Sequence, residues 1–449
     1  MQSIHYKIFG LVAIGGTFNA MEQYNVGYAA PILAEQWSLS ASSLGFLNMG
    51  TFLAMAAGSY VSGIAADRYG RRPVFMVNLA IFALGALVGA LAPGYAALLG
   101  ARILVGIGLG GELALGFTVV AEMMPTKRRG AMTSAVSLVT ASGTVLAAGL
   151  GALMLGPLSN VLGGEAVAWR WFFAVMLLPA VLLVFVRRYI PETPRYLLQK
   201  GKIAETNRVI SLLDSNTLRP GRDFTVKRFI NAPEGVKPVD IETTSGLRDL
   251  FHPTVARRTV IGWLLTLAMF GAMVTLNIFM PTVLVSRGFD VGSSLLYTML
   301  INFGAIAGGV AGIVIASRVR RRTAFIGGAV VCVAFATGFG LSTNSVAAIG
   351  FSFLLICTLQ MLLGVLWTYL PELFPTRCRA FGTGTCSTVG LIAGALGPLA
   401  AGALMDAYGS GAVFTLVGLL CVGIAVTAFY GPETHERDLD DLAGQEVAA

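Results

Sequence analysis

Runs of about twenty apolar residues alternate with short polar breaks along almost the whole chain, the pattern of bilayer-spanning helices. The runs predict spans at 8–33, 44–66, 74–92, 95–121, 131–156 and 169–188, and again at 258–283, 293–316, 323–342, 345–371, 380–405 and 411–431. Several, such as 75–92, 171–186 and 325–341, are apolar on every face, as a helix enclosed by lipid and protein must be. The segment 189–257 breaks the rhythm: it is long, basic and rich in turn residues, with an amphipathic stretch at 204–214. About 65 residues are too few for an ordinary independent core, so it reads as a linker. The expected architecture is an all-α membrane protein of about twelve transmembrane helices in two pseudo-symmetric six-helix bundles. The bundles fall at 1–188 and 258–431, with a central loop at 189–257 and a tail at 432–449.

The second half repeats the first. Glu122-Met123-Met124-Pro125-Thr126-Lys127-Arg128-Arg129-Gly130 returns 250 residues later as Glu372-Leu373-Phe374-Pro375-Thr376-Arg377-Cys378-Arg379-Ala380. Asp67-Arg68-Tyr69-Gly70-Arg71-Arg72 returns at the same offset as Ser317-Arg318-Val319-Arg320-Arg321-Arg322. A third match, Phe18 to Asn25 against Phe270 to Asn277, is shifted by 252. Doubled membrane units of this kind commonly place a cargo site near the bilayer midplane. Glycine recurs on helix faces, as at Gly304, Gly308 and Gly312, where small residues let backbones approach closely in lipid.

Composition agrees. The chain is 55% apolar and 12% charged, with a mean hydropathy of +0.76; a soluble domain carries about 25% charged residues. The net charge of +8 does not point to nucleic acid. All Lys and Arg except Arg102, Arg170 and Arg287 fall at 1–8, 67–73, 122–130, 187–258, 317–322, 372–379 and 432–449. The positive-inside bias then puts both termini and the central loop in the cytoplasm. No cleavage pattern follows the first apolar run, so the first helix is expected to be retained. Five scattered cysteines suggest neither a disulfide framework nor a metal site, and His5, His252 and His435 lie in the polar segments. Gly106-Ile107-Gly108-Leu109-Gly110-Gly111 mimics a dinucleotide loop but follows no strand. No cofactor, metal or enzymatic chemistry is expected.

Gly63-Ile64-Ala65-Ala66-Asp67-Arg68-Tyr69-Gly70-Arg71-Arg72, between the second and third spans, resembles the signature loop of the major facilitator superfamily. Glu-x-x-Pro-Thr-x-x-Arg after the fourth and tenth spans, and Pro191-Glu192-Thr193-Pro194-Arg195 after the sixth, resemble its sugar-porter, organic-ion and metabolite–proton symporter branches. The resemblance spans nearly all of the chain outside 200–250. It implies that Asp67, Arg68, Arg71, Arg72, Glu122, Arg129, Arg318, Glu372 and Arg379 form a cytoplasmic gate. Such charges, at a helix end beside basic clusters, can bias a two-state equilibrium when several act together. In the second copy Ser317 replaces the acid and Arg320 the glycine, so the C-terminal latch is expected to be weaker.

Charges inside the spans carry the functional signal, because each costs at least about 2.5–3.5 kcal/mol at mid-bilayer. Glu22, Arg102 and Glu112 are the deep ones. Asn19 and Gln23 share a polar strip with Glu22, and Arg102 lies at a depth where it can pair with it. Asn19-Ala20-Met21-Glu22, followed by Gly27 and Pro31, resembles the first-helix motif of aromatic-acid symporters, with Asn19 in place of the first acid. Sugar symporters carry a proton-coupling acid near this point, paired with a fourth-helix arginine. Glu112 has no obvious basic partner, and three roles stay open for it: proton carrier, cargo contact, or neutral hydrogen-bonding acid.

Sugar porters line the seventh helix with glutamines, an asparagine and tyrosines; here Ala268, Met269, Val274 and Ile278-Phe279 take those places. What remains for cargo is Asn19, Gln23, Tyr24, Asn277, Phe279, Gln360, Trp367 and Tyr369, a few polar points and aromatics in an otherwise apolar lining, suited to a partly apolar metabolite whose carboxylate meets Arg102. The expected function is proton-coupled symport of a small aromatic or related monocarboxylate by alternating access. The expected setting is a monomer in the inner (plasma) membrane with no nucleic-acid partner. The rival readings are proton-driven antiport of an organic cation or drug, and a receptor that binds without transporting.

Overall fold

The computed structural model describes residues 3–124, 126–178, 181, 185, 191–216, 224–231, 233, 247–342, 344–375 and 378–434. Its elements are helices: α1 (Ser3–Trp37), α2 (Ala41–Tyr69), α3 (Arg71–Ala90), α4 (Tyr95–Met123), α5 (Thr126–Leu155) and α6 (Glu165–Val175). Then follow α7 (Pro194–Gln199), α8 (Ile203–Asp214), α9 (Leu247–Leu250), α10 (Pro253–Ser286), α11 (Val291–Arg318), α12 (Arg321–Leu341), α13 (Ser345–Leu373), α14 (Arg379–Tyr408) and α15 (Gly411–Tyr430). Among the described residues, ten helices are long and apolar enough to cross a bilayer; α1 and α6 stand at the two remaining expected positions. The 35 residues of α1 reach about 52 Å at 1.5 Å per residue, well beyond the hydrocarbon core. The helices therefore start and stop outside the apolar runs that announce them. Pro31 and Pro281 lie inside α1 and α10 at equivalent places in the repeat, a position tolerated where neighbouring helices re-satisfy the freed backbone.

The chain divides into two compact units. The first comprises Met1–Gln23, Ala54–Thr144 and Arg170–Glu242. Here α3 lies along α4, and α2 crosses α4 at Gly58, where an added Cβ would stand 2.2 Å from the carbonyl oxygen of Ile107. Only glycine allows that approach. The linker adds α8, the expected amphipathic helix. Asn207 on it accepts from the backbone of Phe229 (3.0 Å) and Ile230 (2.9 Å), tying that later stretch of the linker to the helix.

The second unit comprises Tyr24–Leu53, Val145–Trp169 and Thr243–Ala449. In it α11 packs on α13, α10 on α14 and α12 on α15. The α2–α4 crossing recurs: a Cβ on Gly308 of α11 would stand 2.1 Å from the Cys357 carbonyl of α13. Gly308 and Cys357 each follow Gly58 and Ile107 by 250 residues, the offset of the sequence repeat. This unit also gathers the far ends of α1, α2 and α5 against the C-terminal helices. Tyr28 accepts from Asn302 Nδ2 at 3.1 Å. Asp406 at the end of α14 accepts the Ala41 and Ser42 amides at the start of α2, both at 2.9 Å, together with the Ser42 hydroxyl.

Candidate functional site

The deep charges meet on the seam between α1 and α4, which run antiparallel. Arg102 Nη1 donates to Glu22 Oε1, and Nη2 donates to the Glu22 carbonyl at 2.9 Å. Both residues are 1% exposed. The guanidinium thus grips one residue twice, through side chain and backbone, which fixes the rotamers of both partners. A buried pair of this kind tolerates the loss of neither partner, because the survivor becomes an uncompensated charge. Further along the seam, Asn19 Nδ2 donates to the Leu109 carbonyl at 3.0 Å. Beyond it, Glu112 is 2% exposed, with the Asn19 amide its nearest donor and no well-formed hydrogen bond to either carboxylate oxygen among the described residues. Room for this carboxylate comes from α1: a Cβ on Gly15 would lie 2.6 Å from Glu112 Oε1. A cavity of about 10 Å³, enough for one water, opens beside it.

The polar loops form two matching clusters. In the first, Arg71 donates from Nη1 to the Ala66 carbonyl (3.1 Å) and pairs through Nη2 with Asp67 (3.1 Å) and Glu122 (3.8 Å). Glu192 accepts the Arg71 and Arg72 amides at the start of α3, the former at 2.9 Å. It supplies the negative charge that a helix N-terminus favours. Gly70 makes this possible. Its φ is +107°, and a Cβ there would come within 2.3 Å of Glu192 Oε2.

In the second cluster Arg321 donates to the Ala316 carbonyl and grips Glu372 with Nε (3.1 Å) and Nη2 (2.9 Å). Glu433 accepts the Arg321 and Arg322 amides at 2.9 and 3.1 Å, and the Thr434 hydroxyl donates to Glu372. The expectation of a weaker second cluster is therefore corrected: losing the acid at 317 leaves Arg321 undivided, and it closes on Glu372 in a two-pronged bond. Asp67, Arg71 and Glu122 come together as expected. Arg68 is exposed over the Tyr69 ring, and Arg318 is exposed. Arg379 donates to the Phe374 carbonyl at 3.4 Å. The Arg72 amide reaches Glu192. The side chain of Arg129 lies outside the described residues.

Sequence reasoning overlooked Arg321, Glu192 and Glu433 as members of these clusters. Their signal is Pro191-Glu192-Thr193 returning as Pro432-Glu433-Thr434 after the last span.

Of the cargo candidates, Asn19 and Gln23 lie in the first unit, and Tyr24, Asn277, Phe279, Gln360, Trp367 and Tyr369 in the second. Asn277 donates to the Met273 carbonyl at 2.9 Å, leaving its buried Oδ1 without a partner among the described residues. Tyr24 and Phe279 are buried, Gln23 and Gln360 half-buried. Trp367 is 42% exposed and meets Phe270 edge-on. Tyr369 is engaged elsewhere. Its hydroxyl donates to the Pro432 carbonyl at 2.8 Å and its ring abuts Phe325, which joins it to the second loop cluster.

Residues 10–444 match the family model described as "Sugar (and other) transporter". The chain belongs to that family. It is a transporter of the major facilitator superfamily, a multi-pass integral membrane protein with the twelve-helix fold, and not an enzyme. It is 28% identical over 440 residues to the niacin transporter NiaP of Acinetobacter baylyi, covering 98% of this chain and 96% of the relative. It is 26% identical over 448 residues to a D-xylose transporter of Levilactobacillus brevis, covering 96% and 93%. Among solved structures, the inward-open xylose transporter XylE from E. coli superposes with a TM-score of 0.75 at 19% identity, covering 98% and 99%.

Proposed function

We propose that this transporter is a proton-coupled symporter of the inner membrane, with both termini in the cytoplasm, that carries a small aromatic or related monocarboxylate as a monomer. The observation that carries this reading is the Glu22–Arg102 pair, buried to 1% and closed by two bonds. In a low-dielectric seam an ionised Glu22 needs its guanidinium. When an incoming carboxylate takes Arg102, Glu22 keeps the seam neutral by binding a proton, so cargo and proton travel together. Release of both on the inner side lets the pair re-form. The two loop clusters act as the cytoplasmic gate, holding or freeing the ends of α2–α3 and α11–α12 as access alternates.

The cargo class is supported by chemistry at the seventh transmembrane helix. Ala268, Met269, Val274, Ile278 and Phe279 on α10 are all buried and apolar where a sugar needs hydrogen-bonding groups. Kinship with a niacin transporter supports an aromatic acid; kinship with a xylose transporter supports the sugar alternative.

Uptake into proteoliposomes under an imposed pH gradient tests the reading. Aromatic monocarboxylates should accumulate and pentoses should not. Glu22→Gln should abolish accumulation, and Arg102→Ala should in addition abolish binding of the anionic cargo. Saturable sugar binding without acid uptake overturns the cargo class. Export of an organic cation against proton entry selects antiport instead.

A further inference from the structure

We propose that Glu112 is a second proton-binding site, set on the same seam as Glu22 and nearer the loops that bear Asp67 and Glu122. The inference rests on the proton-coupled reading and extends it: the proton taken up with cargo occupies two stations in turn.

The geometry begins with a contradiction. An ionised carboxylate this deep in an apolar bundle requires a counter-charge or several donors. Glu112 has neither. Its cavity is lined by Val12, Gly16 and Asn19 from α1, Phe75 from α3, and Val136 and Thr140 from α5, with no titratable or charged group among these described residues. Asn19 donates its amide to Leu109. Neither Glu112 oxygen nor the Thr140 hydroxyl has a well-formed hydrogen bond among the described residues. The carboxyl is therefore stable here as the neutral acid, with its proton on one oxygen.

The surroundings accommodate the group rather than merely tolerating it. Gly15 and Gly16 leave the carboxyl and Thr140 the space they occupy, since a Cβ on Gly15 would reach Glu112 Oε1 at 2.6 Å and one on Gly16 would reach Thr140 Oγ1 at 2.4 Å. The neighbouring cavity has room for one water, the minimum needed to bring a proton to the acid or take it away. Glu112 follows Arg102 by ten residues on α4, a rise of about 15 Å along the axis. Asn19 and Leu109 bridge the two helices between them. Three contacts in register, Glu22–Arg102, Asn19–Leu109 and Gly15–Glu112, thus form one polar line between otherwise apolar helices. Thr140 lines the same cavity as Glu112.

The test uses the full-length transporter in proteoliposomes, with a benzoate-type monocarboxylate as probe. Gradient-driven accumulation, the pH dependence of exchange, and the difference infrared spectrum between high and low pH are recorded for wild type, Glu112→Gln and Glu112→Asp. The expected result is that Glu112→Gln accumulates at least tenfold less cargo, flattens the pH profile and loses one protonated-carboxyl band. Glu112→Asp, which keeps an acid, should restore the band and part of the accumulation. If Glu112→Gln accumulates cargo like wild type with the infrared bands intact, Glu112 is a structural acid and the inference falls while proton coupling stands. If wild type itself shows no accumulation under a pH gradient, the proton-coupled reading falls and takes this site with it.

Discussion

The two loop clusters solve one problem with different parts. Each holds an arginine at the start of a helix, a carbonyl five residues before it, an acid on the helix that follows, and a Pro-Glu-Thr glutamate across the helix N-terminus. In the first copy Arg71 divides its charge between Asp67, whose side chain is 75% exposed, and Glu122 at 3.8 Å. In the second, Arg321 gives both prongs to Glu372. The fuller motif thus makes the looser cluster. An additional acid in a signature does not strengthen an ion pair when it competes for the same guanidinium and stands in water, where a pair contributes little.

The largest effect should come from Glu372→Gln. It leaves a buried guanidinium without its partner and should cost about 3 kcal/mol; Glu122→Gln should cost less, about 1–2 kcal/mol, because Arg71 keeps Asp67 at 3.1 Å. Thermal unfolding of the purified variants reads the difference, and equal losses would erase the contrast.

Next comes the turn. Gly70→Ala forces a side chain into a backbone region that glycine alone occupies freely and drives it into Glu192, which should cost about 2 kcal/mol. Arg320→Ala, at an ordinary extended position (φ −56°), should stay within about 0.5 kcal/mol.

The glutamate caps should behave alike despite their different neighbours. Glu192→Gln and Glu433→Gln should each cost about 1 kcal/mol. Hydrogen exchange in the first turns of α3 and α12 should rise to the same degree; a large difference would show that the two N-termini are held by different means.

Smallest in stability is Asp67→Asn, within about 0.5 kcal/mol. Its expected signature is greater reactivity of single cysteines placed on the cytoplasmic side, together with slower transport, while Ser317→Asp changes little. Unchanged cysteine reactivity would remove Asp67 from the gate.

Much of this was legible in the chain. The 250-residue offset carries down to the atomic register of the helix crossings, and the shared depth of Glu22 and Arg102 predicts their pairing. Helix ends were not legible: α1 extends to Ser3 and Trp37, past 8–33, because an apolar run reports the thickness of lipid and not the length of the helix. Glu433 escaped because its motif recurs 241 residues after the first and not 250: the connection before the last helix of the half is 156–164 in the first copy and only 409–410 in the second. Tyr369 read as a cargo aromatic because residue type does not reveal where a hydroxyl finds its acceptor. The space that Gly15 leaves for Glu112 comes from another helix, 97 residues away in the chain, and no local pattern encodes it.

The paired crossings at Gly58 and Gly308 also bear on the repeat. Each glycine meets the carbonyl of a residue 49 positions further on, Ile107 in one half and Cys357 in the other. One register held in both halves is what a doubled structural unit displays. The facing residues differ between the halves, which a contact made through the backbone permits, while the glycines are the same. The offset of 250 spans one six-helix bundle together with the linker that joins it to the next.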